Sequence, residues 1–207
     1  MSTDDREVEV KFLVDDLGAL RTRLAEVGAQ LSGPRVAERN VRYDTADEAL
    51  LHRSQLLRLR QDTRARLTFK GLAAEDAASE AKIREEIELE IGDFDRMGKI
   101  LERLGFHPVQ TYEKFRETFQ WRGVEILLDE MPFGNFVELE GAEAGLKPTA
   151  AALGLDWSKR LLTNYLELME LCRQTYGLPF ADLTFANFAR RPVDLAELLP
   201  LCVLSAG

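Results

Sequence analysis

Charged and apolar residues alternate in several short segments, and these segments hold the side chains best suited to chemistry. The clearest is Glu7–Lys11, which reads EVEVK. A strand turns alternate side chains to opposite faces, so its three charged residues share one face. A later segment repeats the pattern, with Glu138 and Glu140 opposite Val137 and Leu139. Carboxylates gathered on one face are the oxygen ligands that Mg²⁺ and Mn²⁺ prefer.

Basic side chains follow the same alternation, mostly on other segments. They are Arg58, Arg60, Arg66, Lys70, Arg84, Lys114 and Arg116. Lysine and arginine give strong, charge-assisted hydrogen bonds to phosphate oxygens. A surface that carries acids on some strands and bases on others predicts a ligand that needs both. A polyphosphate joined to carboxylates by metal ions is such a ligand.

Eight segments with strand-like alternation and four with helical spacing must position these side chains. We predict strands over residues 7–14, 36–44, 54–61, 65–70, 81–91, 112–121, 124–129 and 135–140. We predict helices over residues 17–27, 94–104, 146–155 and 158–176, and a mobile loop over residues 71–79. The glutamate-rich segment 81–91 could also be a helix, but Ile83, Ile87 and Ile91 favour a strand.

Short turns between most of the strands predict an antiparallel α+β fold. Two arrangements of the sheet remain open: a sheet with one solvated charged face, or an eight-stranded barrel with helices outside and charges inside. The sorting of acids and bases onto different strands favours the barrel. Unpaired buried charge is costly, so such an interior must hold water and counterions, or a ligand.

Composition narrows the class of protein. The 207 residues include 27 Lys and Arg against 36 Asp and Glu, for a net charge of −9. That charge disfavours nucleic acid and anionic membranes as partners. We find no apolar run near the ~20 residues that cross a bilayer and no signal peptide. Two cysteines and two histidines without metal-like spacing make zinc improbable. We predict a cytoplasmic protein.

The chain shows no internal repeat and no linker rich in proline or serine. We predict one domain over residues 1–176 and a C-terminal extension over residues 177–207. Phe180, Phe185 and Phe188 predict that this extension packs onto the domain. A homodimer through the outer helices is possible but has no specific signal.

The motifs together resemble the CYTH superfamily, also called the triphosphate tunnel metalloenzymes. The series, in the order of the family, is EVEVK at Glu7–Lys11, YDT at Tyr43–Thr45, LRLR at Leu57–Arg60, LTFKG at Leu67–Gly71, REEIELE at Arg84–Glu90, YEKFRE at Tyr112–Glu117 and LDEMPFGNFVELEG at Leu128–Gly141. One ExExK motif arises by chance in acidic strands, but the whole series is specific. The resemblance covers roughly residues 7–170.

The resemblance implies an eight-stranded antiparallel tunnel that binds a small triphosphate with Mg²⁺ or Mn²⁺. The implied metal ligands are Glu7, Glu9, Asp129, Glu138 and Glu140. The implied phosphate-binding residues are Lys11, Arg58, Arg60, Lys70, Arg84, Lys114 and Arg116. The implied catalytic residues are Glu9, Lys11 and Lys70, while Glu86 and Glu88 orient the basic groups or metal-bound water. For each position the alternative is a charge-pair partner that only lines the tunnel.

The last helix departs from the family pattern. Many members carry a Ser-Tyr pair after a lysine, whereas this chain has Asn164–Tyr165 with Lys159 one turn away. The sequence therefore does not predict whether this helix contacts the tunnel. The resemblance implies hydrolysis of an inorganic or organic triphosphate. The alternatives are a class IV adenylyl cyclase, which makes cyclic AMP and pyrophosphate from ATP, and a binding module without catalysis.

Overall fold

A computed structural model describes residues 6–73 and 79–204. The strands are β1 (Arg6–Val14), β2 (Gln30–Asp44), β3 (Leu56–Gln61), β4 (Ala65–Leu72), β5 (Lys82–Ile91), β6 (His107–Trp121), β7 (Val124–Met131), β8 (Gly134–Gly141) and β9 (Leu201–Cys202). The helices are α1 (Leu17–Glu26), α2 (Ala49–His52), α3 (Phe94–Arg103), α4 (Glu143–Ala152), α5 (Tyr165–Tyr176) and α6 (Phe185–Arg190).

Strands β1 to β8 form a closed antiparallel ring that is not evenly round. The order is β5-β4-β3-β2-β6-β7-β8-β1, and pairing of β5 with β1 closes the ring. Glu7 lies opposite Arg84 at this closure, and Glu9 lies opposite Lys82. The eight-stranded barrel predicted from the alternation is therefore confirmed. Strand β9 lies outside the ring, parallel to the end of β1.

Local sequence signals set the ends of several elements. The Asp16 carboxylate accepts hydrogen bonds from the backbone of Gly18 and Ala19, and so caps the start of α1. The turn between β6 and β7 is made by Arg122 and Gly123, with φ values of 49° and 79°. Two successive left-handed residues match the twist of a two-residue hairpin, as the sequence predicts.

The largest apolar cluster lies outside the ring, which leaves the interior to the charged residues. The outward side chains of β1, β7 and β8, such as Phe12, Ile126 and Leu139, are fully buried. Leu20 of α1 and Leu146 of α4 belong to the same cluster. The helices thus shield the apolar face of the sheet from water, and this burial is the main favourable term in folding.

Several predicted boundaries differ from the structure. Strands β2 and β6 begin earlier, at Gln30 and His107, because their long pairing continues past the predicted ends. The predicted loop at residues 71–79 overlaps the end of β4, and its residues 74–78 lie outside the described residues. Helix α4 lies at Glu143–Ala152, shifted from the predicted 146–155. No helix in the described ranges is long and apolar enough to cross a membrane.

The prediction of one helix over residues 158–176 is wrong. A short 3₁₀ turn at Trp157–Lys159 is followed by extended backbone, and α5 begins only at Tyr165. Leu161 exchanges two backbone hydrogen bonds with Lys11, at 3.2 and 2.7 Å. This pairing holds the segment against β1, and Asn164 then caps α5 together with Glu167 in a capping box.

The chain after α5 packs over one end of the ring. Leu183 exchanges backbone hydrogen bonds of 2.9 Å with residues 111 and 113 of β6. Phe188 is buried, and its ring lies 5.9 Å from that of Phe133 and 5.5 Å from that of Phe180. Aromatic packing of this kind favours one cooperative body. The domain boundary at residue 176 stays a prediction.

We expect Phe188→Ala to lower the free energy of unfolding by about 3 kcal/mol, because it leaves a cavity among packed rings. Urea unfolding followed by tryptophan fluorescence and by far-ultraviolet circular dichroism measures this. Leu162→Ala is the control, since that side chain is 42% exposed and should cost little. An unchanged midpoint for Phe188→Ala would show that the extension does not stabilise the ring.

Candidate functional site

Three carboxylates meet where β1 lies beside β8. One oxygen from each of Glu7, Glu9 and Glu140 lies within 4.8 Å of the other two. The geometry follows from the strands, because Glu9 is directly opposite Glu140 and Glu7 is two residues away on the same face. Oxygen atoms this close are compatible with binding of one hard divalent cation.

The three carboxylates differ in their tendency to ionise. Burial raises the pKa of Glu7 to about 7, with Glu9 and Glu86 adding to the effect and Lys70 opposing it. Burial, with the neighbouring Glu7 and Glu138 adding to its effect, raises the pKa of Glu140 to about 8. Burial opposes ionisation of Glu9 too, but Lys11 and other lysines outweigh it and lower the pKa to about 2. Burial and the neighbouring carboxylates therefore favour the protonated forms of Glu7 and Glu140, whereas Glu9 stays ionised.

Three lysines approach these carboxylates. Lys70 donates to both oxygens of Glu7 at 2.6 Å. Lys11 and Lys82 each donate to the same oxygen of Glu9 at 3.2 Å. Negative oxygens and ammonium groups thus share one small volume of the tunnel. Such an arrangement can hold an anion and a cation side by side.

Asp129 and Glu138 lie deeper in the tunnel and have different partners. Asp129 is fully buried and accepts from Lys114 at 2.9 Å, from Arg116 through two nitrogens at 2.7 Å, and from the Tyr165 hydroxyl at 2.9 Å. Glu138 lies 3.2 Å from Lys11 and also pairs with Arg116. Lys11 and Arg116 outweigh burial and hold the pKa of Glu138 well below its usual range.

These contacts separate the five predicted metal ligands into two groups. Glu7, Glu9 and Glu140 are brought together within reach of one ion. Asp129 and Glu138 are not part of that group, and their oxygens already accept from cationic side chains. Glu7 and Glu9 also accept from lysines, so cationic partners do not distinguish the two groups, and the metal-ligand role of Asp129 and Glu138 stays a prediction beside the alternative of charge-pair partners.

Arginines of β3 provide the basic wall of the tunnel. Arg58 donates to the Tyr112 hydroxyl at 2.9 Å and to Thr68 at 3.1 Å. Arg60 lies 3.8 Å from Glu38, beyond hydrogen-bond distance. The Nε atoms of both arginines are buried without a hydrogen-bond partner among the described residues. Buried donors of this kind indicate that water or an anion completes their hydrogen bonding.

Three further predicted residues lie on β5. Glu86 is 3.0 Å from Lys70 and 3.7 Å from Arg58, so it accompanies basic groups as the sequence suggests. Glu88 accepts from Thr68 at 2.7 Å. Arg84 lines the cavity but donates to the backbone oxygen of Ser54 at 2.8 Å. It therefore reaches the end of the tunnel rather than its centre.

One continuous cavity of about 850 Å³ connects these groups. The predicted site residues that line it are Glu7, Glu9, Lys11, Arg58, Arg60, Lys70, Arg84, Lys114, Arg116, Glu138 and Glu140. Asp129 lies behind this surface. The cavity is large enough for a ligand the size of a nucleotide.

Helix α5 contacts the tunnel through its first residue. Tyr165, the first residue of α5, enters the tunnel and donates to Asp129 at 2.9 Å. Lys11 and Lys114 lie 5.2 and 5.6 Å from the centre of its ring. Lys159 does not replace the missing lysine, because it donates to the backbone of Leu201 at 2.8 Å.

Sequence reasoning missed several lining residues. Arg42, Tyr112 and Lys82 line the same cavity, and Glu38 lies buried near Lys114 at 3.7 Å. Lys114 and Arg60 outweigh burial and hold the pKa of Glu38 below its usual range. The alternation of side chains between the two faces of a strand could have identified several of these residues. Residues 38, 40 and 42 share one face of β2, and residue 112 shares a face of β6 with residue 114.

A closed antiparallel ring whose interior is lined by carboxylates together with lysines and arginines defines a class of charged-tunnel proteins. Comparison with family models places this chain in it. The model of the CYTH domain matches residues 5–147, and the chain belongs to the CYTH family.

Individual relatives agree with the family. A protein of Methanocaldococcus jannaschii named putative adenylate cyclase is 30% identical over 136 residues, which are 65% of this chain and 75% of that protein. A solved structure of a Pyrococcus horikoshii protein is 28% identical, with a TM-score of 0.67 over 81% of this chain and 99% of that one.

Two more distant structures show the same fold. One from Vibrio parahaemolyticus, called a putative adenylate cyclase, is 22% identical with a TM-score of 0.71, covering 79% of this chain and 97% of its own. One from Hippeastrum is 18% identical with a TM-score of 0.54, covering 84% and 98%. The latter is described as a putative adenylyl cyclase with a dominant triphosphatase activity.

Proposed function

We propose that this protein is a divalent-metal-dependent hydrolase of triphosphates, either inorganic triphosphate or an organic triphosphate. The observation that carries the proposal is the meeting of Glu7, Glu9 and Glu140 in the same cavity as the arginines and lysines. Acids alone would repel a polyphosphate, and bases alone would bind it without a place for metal. A site that holds both acids and bases can bind the metal ion and the phosphate groups that phosphoryl transfer requires.

The donor set fits Mg²⁺ or Mn²⁺, since it offers oxygen atoms only. Glu7, Glu9 and Glu140 would hold the ion, and Mg²⁺ or Mn²⁺ would there neutralise phosphate charge and polarise water. The low pKa of Glu9 keeps its carboxylate ionised, so that it can orient the attacking water. Lys70 and Lys11, adjacent to these carboxylates, would stabilise charge on the phosphoryl oxygens.

The arginines and lysines of the tunnel wall would bind the remaining phosphate groups. The buried Nε groups of Arg58 and Arg60 have no hydrogen-bond partner in the part of the chain that the structure describes, so they can donate to non-bridging oxygens. Lys114 and Arg116 are held by Asp129 and add positive charge along the tunnel. Donors fixed in advance stabilise the leaving polyphosphate without reorganising during the reaction.

A class IV adenylyl cyclase is the second candidate, because a relative at 30% identity is named putative adenylate cyclase. The two activities place different phosphorus atoms beside the nucleophile. We would incubate the protein with Mg²⁺ or Mn²⁺ and tripolyphosphate, thiamine triphosphate or ATP, and quantify phosphate and cyclic AMP. We expect phosphate as the main product, whereas cyclic AMP with little phosphate would establish the cyclase.

We expect metal affinity to rise with pH between about 6 and 8. Burial raises the pKa of Glu7 to about 7 and that of Glu140 to about 8. Below these values protons compete with the ion, so binding must release them. Calorimetric titration with Mn²⁺ should give an affinity at least tenfold weaker at pH 6 than at pH 8. An affinity independent of pH in this window would contradict the role of these two residues.

A further inference from the structure

The first half of β6 has a strand of the ring on one side only. Strand β2 pairs with β6 from residue 107 to residue 120, whereas β7 pairs with it only from residue 115 to residue 121. The first half of β6 would therefore be a sheet edge, and an edge exposes backbone N–H and C=O groups. Tyr112 and Lys114 lie on this half, and both line the tunnel. Whatever covers the edge therefore also bears on the tunnel wall.

Residues 181–185 of the C-terminal extension cover this edge, and we call them the C-terminal strap. The amide of Leu183 donates to the backbone oxygen of Thr111, and the amide of Glu113 donates to the backbone oxygen of Leu183, both at 2.9 Å. The strap thus runs parallel to β6, with Leu183 beside Tyr112. It satisfies backbone groups that lie beyond the pairing with β7.

Carboxylates tie the strap to β6 on both sides of this bridge. Asp182 accepts from the backbone of Thr111 at 2.8 Å. In the opposite direction, Glu113 accepts from the backbone of Phe185 at 3.0 Å. Leu183 is fully buried between these two ties, whereas Asp182 is exposed. The strap therefore combines an apolar anchor with polar ties that can be changed separately from it.

Tyr112 carries the effect of the strap into the tunnel, because it lies between the two residues that the strap holds. Its side chain is buried, and its hydroxyl accepts from Arg58 at 2.9 Å. Thr68 accepts from another nitrogen of Arg58 at 3.1 Å. The carboxylates of Glu86 and Glu88 lie 3.7 and 3.6 Å away, outside hydrogen-bond distance. Two neutral hydroxyls therefore set the direction of this guanidinium without adding negative charge beside it.

We propose that the C-terminal strap positions Arg58 for phosphate binding by holding the edge of β6 that carries Tyr112. The proposal rests on the proposed function of the tunnel and adds positioning residues to the same site. These are Asp182, Glu113 and Tyr112, which act through Arg58. The strap lies outside residues 5–147, so the match to the family model does not assign it a role. A donor that is held in place before binding loses less entropy when phosphate arrives.

Two substitutions remove the polar ties and leave the apolar anchor in place. Asp182→Ala and Glu113→Ala, combined in one protein, delete both carboxylates that accept across the edge. Leu183 keeps its buried side chain, so the melting temperature should change by no more than a few degrees. Hydrogen exchange at the amide of residue 111 should become at least tenfold faster, because its acceptor has been removed.

We expect kcat/KM for tripolyphosphate to fall about tenfold in this double variant, because the guanidinium of Arg58 is no longer held in one direction. Tyr112→Phe removes the hydroxyl acceptor itself and should cost a similar factor. Both changes act on the same contact, so all three substitutions together should cost little more than either set alone. The conservative pair Asp182→Asn and Glu113→Gln keeps acceptor oxygens in place and should restore most of kcat/KM.

Asp194→Ala is the matched control, since that carboxylate accepts from the backbone of Ala196 at 2.9 Å within the extension itself. It should leave kcat/KM unchanged. An equal loss in this control, an unchanged kcat/KM in the double variant, or full additivity with Tyr112→Phe would overturn the role of the strap and leave the triphosphatase standing. If no triphosphate is hydrolysed, the proposed function fails, and calorimetric affinities for tripolyphosphate then test the strap with the same set of variants.

Discussion

Replacing Glu9 by glutamine should lower triphosphate turnover on the order of a hundredfold or more, with little effect on the fold. Even groups that only orient metal ligands cost ten- to a hundredfold when they are changed. Glu9 is one of three carboxylates that meet within 4.8 Å, and the low pKa of its carboxyl keeps it charged. Its amide analogue keeps the shape but removes the charge that would hold the ion.

Turnover at saturating Mn²⁺ measures the effect of the substitution on catalysis, and the affinity for Mn²⁺ measures its effect on metal binding. Glu130→Gln is the control, because that carboxylate lies on the outer face of β7 and pairs with Arg35 at 2.7 Å. Glu130→Gln should unfold at nearly the same temperature as the original protein, and Glu9→Gln should unfold a few degrees lower, because Lys11 and Lys82 lose part of their counter-charge. If Glu9→Gln retains full turnover and affinity, the three carboxylates do not form the metal site.

The largest effect on stability is expected for Asp129→Ala. The Asp129 carboxylate accepts from Lys114, Arg116 and Tyr165, and no part of it is exposed. Removing it leaves buried cations without their main counter-charge, and breaking such a network costs about 3–5 kcal/mol. For a chain of this size the melting temperature should fall by roughly 10 °C.

Two further measurements distinguish a structural role of Asp129 from a role as a metal ligand. Tyr165→Phe removes one of the donors and should cost only about 1 kcal/mol. A role of Asp129 as a metal ligand would predict a different pattern, with weaker Mn²⁺ binding and an unchanged melting temperature without metal. That pattern would support the role of Asp129 as a metal ligand that the family resemblance implies.

The period of two explains why the ring and its lining could be predicted from the sequence. Residues such as Glu7, Arg58 and Lys114 alternate with apolar neighbours, so their face is set before any tertiary contact is known. Closure of eight strands then requires that one face point inward. The pattern also contained Arg42 and Glu38, but Arg39 directly follows Glu38 and interrupts the alternation of charged and uncharged residues on that strand.

Pairing between distant segments could not be predicted in the same way. Asp129 and Glu140 are both acidic residues on inward positions, yet one accepts from Lys114 and Arg116 while the other faces two carboxylates. The difference comes from register and from Tyr165, which reaches Asp129 across 36 positions of sequence. Alternation gives the face of a residue, but only the full set of neighbours gives its role.

The first strand has a consequence for the order in which the molecule forms. Strand β1 carries Glu7 and Glu9, and its neighbours in the ring are β5 and β8. It therefore leaves the ribosome before either neighbour, and it can pair with β8 only after residue 140 has been made. Contacts so far apart in sequence form slowly, because loop closure precedes any gain from them. The pairing of β1 with β8 is thus also the step that brings Glu9 opposite Glu140.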